Sequence, residues 1–235
     1  MVATFPVSLL YAFNSVAYVV LIFWAGLNIV RDIVGGIRRQ QTILLFHSFA
    51  LFSLNLLLSI RVALGYGNIQ RAGDNVTVNV ERWIYYVLSC SLLAASNGEI
   101  LRLKRLWYWA NIVLVAATLV CGYLAGTEAD SGARLTYFIA GFFPFLLSLG
   151  IMFICKRVHN NATYKIFILW IVTTWSIYPI AFALGPSMYH VISLVFESMI
   201  YGIDDWFSKM LFAIFSFYTM VGYYRVFATV NNDNN

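Results

Sequence analysis

The chain has 235 residues, 61% hydrophobic and 11% charged, with a mean hydropathy of +0.78 and a formal net charge of +5. A soluble domain of this length cannot bury so much apolar surface, so composition excludes a water-soluble globule and points to a membrane protein. Cys90, Cys121 and Cys155 all lie in hydrophobic stretches and suggest no disulfide framework.

Hydropathy marks seven candidate spans, roughly 7–30, 41–65, 82–100, 105–126, 134–155, 165–184 and 191–226. Each is long enough to cross about 30 Å of hydrocarbon as a helix. Met1 to Pro6 lacks a basic leader, so no cleavable signal is expected. Arg31, Arg38 and Arg39 fall in the first loop, Arg102, Lys104 and Arg105 in the third, and Lys156, Arg157 and Lys165 in the fifth. Arg225 follows the last span, whereas the opposite loops carry only Arg71 and Arg134, with Glu128 and Asp130 nearby. The excess of basic residues predicts an extracellular N-terminus and a cytoplasmic C-terminus. The expectation is one multi-pass all-α domain over 1–230, followed by a short polar cytoplasmic tail at 231–235. No internal repeat or attached enzyme domain is evident, and no enzymatic activity is expected.

Short loops make sequential helices antiparallel neighbours. The longest loop, Gly65 to Asn79, alternates Val and Thr after Gly-Asp-Asn and reads as a small outer hairpin. Asn75-Val76-Thr77 is a glycosylation sequon on that side; Asn161-Ala162-Thr163 lies on the cytosolic side and should stay unmodified.

The first span carries Ser8, Tyr11, Ser15 and Tyr18 at helical spacing, with Asn14 beside them. The second carries Ser48, Asn55 and Ser59 on one face. Such stripes either bond helices together or line a wetted crevice, and neither contains a carboxylate. The third span opens with Arg82, placed to reach water by snorkelling, and continues through Tyr85, Tyr86, Ser89, Cys90 and Leu93. The fifth contains Gly141-Phe142-Phe143-Pro144-Phe145. In the sixth, Trp175, Tyr178 and Phe182 share a mid-span face beside Pro179 rather than an interfacial belt.

The last span is interrupted by Ile203-Asp204-Asp205-Trp206-Phe207-Ser208-Lys209. Charges at bilayer depth are costly and mark functional sites. Asp205 and Lys209 are i, i+4 and share a helix face. A buried lysine in this setting is either half of a structural ion pair or an amine held for covalent chemistry with a carbonyl compound.

This last stretch resembles the retinal-binding helix of microbial rhodopsins, and of channelrhodopsins in particular. Trp175 to Pro186, including the closing Gly185-Pro186, is similar to their sixth helix, and Arg82 with Ser89-Cys90 to their third. Leu64-Gly65-Tyr66-Gly67 resembles the outer end of helix two in the wider family, and Tyr224-Arg225-Val226 continues the likeness after helix seven.

The resemblance implies all-trans retinal bound covalently to Lys209 as a protonated Schiff base, with Asp205 as counterion and polar Ser208 beside it. Tyr86, Ser89, Cys90 and Leu93 would line the pocket from helix three. Gly141, Phe142 and Phe145 would do so from helix five, and Trp175, Tyr178 and Phe182 from helix six. Glu197 matches an outer carboxylate of proton-releasing relatives, or is a hydrated acid in the outer vestibule.

Outward proton pumps carry acids at the positions of Tyr85 and Ser96. A phenol is a poor proton acceptor at neutral pH, so that activity is not expected. Chloride pumps keep a small residue where Tyr85 stands. Light-gated channels need a hydrated path and a gate instead, and alignment on Gly65-Tyr66-Gly67 puts Asn55 at that gate. A path through Ser48, Asn55, Ser59 and Tyr85, with Arg82 at its mouth, favours anions over cations. Helix four offers Cys90 no aspartate, only Thr118 or Asn111. The favoured reading is therefore a light-gated anion channel. The alternatives are an inward proton pump of schizorhodopsin type, with Glu99 near the helix-three terminus, or a sensory rhodopsin acting through a partner. Expected partners are membrane lipid, a small inorganic ion (chloride first) and further copies of the chain; no nucleic acid and no metal site are expected.

Overall fold

The computed structural model describes residues 5–35, 39–72, 74, 76–155 and 162–217. Arg38, Asn75, Lys156, Arg157, Asn161 and everything after Phe217, including Arg225 and the 231–235 tail, lie outside the described residues.

Seven helices follow one another: α1 (Phe5–Val34), α2 (Arg39–Ala63), α3 (Glu81–Leu101), α4 (Arg105–Thr127), α5 (Ser131–Ile154), α6 (Ala162–Leu184) and α7, which starts as Leu194–Asp205. The first six are long and apolar enough to cross a membrane. The first six predicted spans and the start of the seventh agree to within a few residues, the predicted end of the seventh at 226 lying outside the described residues, and the shifts have local causes. Asp130 accepts a hydrogen bond from the Ala133 N–H at 2.7 Å and starts α5 earlier than hydropathy suggests. Ser193 caps the N–H of Phe196 and starts α7 later. Hydropathy sees neither cap, because each is a hydrogen bond made by one polar side chain just outside the apolar run.

Between α2 and α3 the expected hairpin is present. β1 (Asn68–Gln70) pairs antiparallel with β2 (Thr77–Asn79), Ile69 opposite Val78. Gly67 enters it at φ +81°, and a β-carbon there would come within 2.6 Å of the Glu81 side chain, so only glycine fits. Arg71, fully buried, ties this hairpin to the neighbouring loops. It binds Asp74, the Gly126 carbonyl and, at 3.0 Å, the Ser187 carbonyl. Arg134 reaches the same Ser187 carbonyl and Asp74. The paired Arg71 guanidinium pulls the Asp74 carboxyl down to about 2. Arg71 and Arg134, counted in the sequence as loop charges, are thus buried clamps over one end of the bundle.

Consecutive helices pack from α1 to α5, and α7 closes the ring against α1 and α6. On α1 the buried face is Val7, Tyr11, Asn14, Tyr18, Ala25, Ile29 and Asp32, while Phe13, Val16, Val20, Phe23 and Leu27 face outward. Polar groups inside and bare hydrocarbon outside is the arrangement a lipid solvent selects, since lipid cannot satisfy a hydrogen bond. Asn14 uses its position to dock α7. Its amide donates to the Gly202 carbonyl at 3.1 Å and its oxygen accepts from Trp206 Nε1 at 2.6 Å. Much of the α1 stripe therefore bonds helices together.

Candidate functional site

After Asp205 the seventh helix widens into π-helical turns over Trp206–Leu211 and returns to α-helix over 212–217. Such bulges concentrate at functional sites; this one contains Ser208 and Lys209. Lys209 is fully buried, and its Nζ lies 2.7 Å from Asp205 Oδ1. It also donates to Asn55 Oδ1 on α2 at 3.0 Å and sits 3.6 Å from the centroid of the Tyr86 ring. Asp205 is held in turn: the Tyr86 hydroxyl donates to it at 3.1 Å and the Tyr178 hydroxyl at 2.6 Å. Tyr178 also shares a 2.7 Å hydrogen bond with Ser208. Four helices therefore converge on one ion pair, whose charges are compensated by geometry rather than by water.

Outward of the pair the rings continue. Tyr178 stacks on Tyr201 at 5.6 Å, and the Arg82 guanidinium lies 4.3 Å from the Tyr201 ring centroid. Arg82 is buried and donates to Ser198 Oγ at 3.0 Å, so it does not snorkel to water. Glu197 is buried beneath Gly185, not in an open vestibule.

Lys209 also lines an apolar cavity between α3, α4, α5, α6 and α7. Of the residues expected there, Tyr86, Cys90, Leu93, Gly141, Phe142, Phe145, Trp175, Tyr178, Phe182 and Ser208 all contribute. Ser89 does not: it is fully buried behind the wall, with no hydrogen-bond partner for its hydroxyl. Thr118 and Pro179, singled out in the sequence for other reasons, also line it, and sequence reasoning missed Trp83, Val115, Leu119, Gly122, Phe138 and Tyr201. Tyr201 carried a readable signal, standing four residues from both Glu197 and Asp205; Val115, Leu119 and Gly122 carried none.

Tyr86, expected in the pocket, contacts the amine and its counterion; Tyr85, expected on the ion path, is half-buried against an apolar cluster with Leu58 and Val62. Asn111 does not serve Cys90. It donates to the Ala94 carbonyl and accepts from Ser148 Oγ at 2.6 Å, joining α3, α4 and α5. Thr118 lines the cavity with Cys90 but gives its hydroxyl hydrogen to Leu114. Ser48 and Ser59 are buried as the α2 stripe predicts, Ser48 bonded to its own helix.

A buried primary amine at the rim of an aromatic-walled cavity, beside one engaged carboxylate, suits an extended apolar aldehyde such as retinal. Flat rings can wall a polyene, and a primary amine can condense with an aldehyde. Fold and site together define a seven-helix membrane protein organised around a lysine in its last helix.

Known proteins place it further. A bacteriorhodopsin-like family profile matches residues 60–223, more than half of the chain, which belongs to that family, the microbial rhodopsins. Solved structures agree in fold. The proton-pumping rhodopsin of the marine alga Acetabularia acetabulum is similar with a TM-score of 0.83 at 18% identity, covering 95% of this chain and 98% of that one. Cyanorhodopsin from the cyanobacterium Calothrix sp. gives 0.80 at 19% identity, covering 91% and 94%. Schizorhodopsin 4 gives 0.75 at 18% identity, covering 89% and 98%. No curated protein matches the sequence.

Proposed function

We propose that this chain is a retinal-bearing photoreceptor whose chromophore is attached at Lys209, and that it works as a light-gated ion channel preferring anions, chloride first, to cations. The observation that carries the reading is the 3.0 Å hydrogen bond from the Lys209 amine to Asn55. Asn55 belongs to the polar stripe of α2 with Ser48 and Ser59, all buried and all neutral. Bound retinal would supply light absorption and a change of shape. The residues of the chain do the rest. Asp205 balances the amine, Tyr86 and Tyr178 hold Asp205, and any displacement of Nζ releases Asn55 on the neighbouring helix.

Hydration of the path is supported by buried polar groups with no hydrogen-bond partner among the described residues: Tyr18 on α1, Asn97 on α3 and Ser216 on α7. Buried groups of this kind call for water. Selectivity for anions is supported by buried Arg82 and by a neutral α2 stripe. The reading keeps residues 1–230 as one domain with its N-terminus outside.

Inward proton transfer is a second reading. It is favoured by His47 on α2, whose Nδ1 lies 3.4 Å from Ser96 Oγ, and by Asp32 and Glu99 on the same half of the bundle. Whole-cell currents under light, in cells supplied with all-trans retinal, test both. A reversal potential that follows the chloride gradient is the expected result. An inward current that never reverses would refute the channel and select the pump. A bleachable pigment without current would refute both and leave a sensory role.

A further inference from the structure

Asp204 precedes the counterion and is buried almost as completely, at 3% exposure against 1% for Asp205. The two acids are served very differently. Asp205 takes Lys209, Tyr86 and Tyr178, whereas neither oxygen of Asp204 has a hydrogen-bond partner among the described residues. Consecutive helical residues diverge by roughly 100°, so Asp204 flanks the ion pair instead of sharing its donors. It still lies within electrostatic range of Lys209, Asp205 and Tyr178, and of Cys90 on α3.

Charge balance then decides its state. Lys209 and Asp205 cancel. The next buried cation outward, Arg82, is engaged with Ser198 and Tyr201. A carboxylate here would be an uncompensated buried charge whose nearest donor, the Tyr178 hydroxyl, is already given to Asp205, a far costlier species than a carboxylic acid. The titratable groups around it are Asp205 and Lys209 on α7, Tyr178 from α6 and Cys90 from α3; Tyr86 from α3 and Tyr11 and Tyr18 from α1 face the adjacent Asp205, and α2 contributes the amide Asn55 to Lys209.

We propose that Asp204 is the second titratable carboxyl of the amine site, keeping its proton while Asp205 carries the charge. The α3 residue against the amine is Tyr86, and α7 supplies both carboxyls from adjacent residues. Titration of Asp204 is a simple dissociation. Its O–H bond breaks, the proton passes to water, and a second negative charge appears beside the amine.

Two measurements test this. Infrared spectra of the retinal-free protein should show a carboxylic-acid C=O band that is absent from Asp204→Asn and displaced in Asp204→Glu. This arm does not depend on the retinal reading. In the retinal-loaded protein, on which the second arm does rest, raising the pH should move the visible absorption to shorter wavelength in the wild type and not in Asp204→Asn. A shift of the same size and midpoint in Asp204→Asn would overturn this arm, because it would come from the amine itself or the tyrosines and not from Asp204. An unchanged infrared band in both variants would overturn the proposal even if pigment forms. A band lost in Asp204→Asn without any pigment in the wild type would sustain the proposal and overturn the retinal reading.

Discussion

Removing Asp205 alone should be far more damaging than removing Asp205 and Lys209 together. Lys209 is fully buried, and its ammonium has one anion, Asp205, at 2.7 Å. Asp205→Asn keeps the volume and an oxygen for Tyr86 and Tyr178 but deletes the charge, leaving the ammonium with the Asn55 oxygen and the Tyr86 ring face. Breaking a buried pair in this way costs about 3–5 kcal/mol, because one charge is stranded. The double variant Asp205→Asn with Lys209→Met strands nothing, and replacing both members of a buried pair is often neutral or better. Chemical or thermal denaturation of the retinal-free protein in detergent measures both. The expected result is a large loss in the single variant and recovery of most of it in the double one. A single variant as stable as wild type, or a double variant no better than the single, would refute the view that the pair is a compensated buried charge.

Three other outcomes follow from the same geometry. Lys209→Ala should form no pigment with all-trans retinal while the chain still folds, read as loss of the visible band at unchanged elution volume. Gly67→Ala should cost about 1–3 kcal/mol, since it combines a left-handed backbone with a clash against Glu81, and denaturation of purified protein would register it. Asp74 contributes a pH dependence with a defined sign. Its folded value of about 2 lies below the ordinary aspartate value of about 3.9, so its contribution is complete above pH ~4 and fades as the pH falls toward 2. Protection factors of the β1–β2 amides, taken against intrinsic exchange at each pH, should fall toward acid across that window, and Asp74→Asn should abolish the fall.

The parts legible in the sequence were those that depend on residues near one another along the chain. Apolar length marks a helix in lipid because each span satisfies its own backbone bonds, so seven spans and their boundaries could be read directly. Asp205 and Lys209 share a face because i, i+4 spacing is a property of any helix, and their pairing is borne out at 2.7 Å. The aromatic triplet Trp175, Tyr178 and Phe182 lines the cavity for the same reason.

Other features required the tertiary structure. Asn55 meets Lys209 across 154 residues, and nothing local to either announces it. Whether Tyr85 or Tyr86 faces the amine depends on the rotation of α3 about its axis, set by packing against α2, α4 and α7 rather than by its own pattern. The burial of Arg71 and Arg134 under the hairpin likewise follows from how three loops meet, which a count of charges by loop does not contain. Spacing along one helix is a covalent property of the chain. Contact between helices is a property of how rigid cylinders of particular shape settle against one another, and only the assembled bundle contains that information.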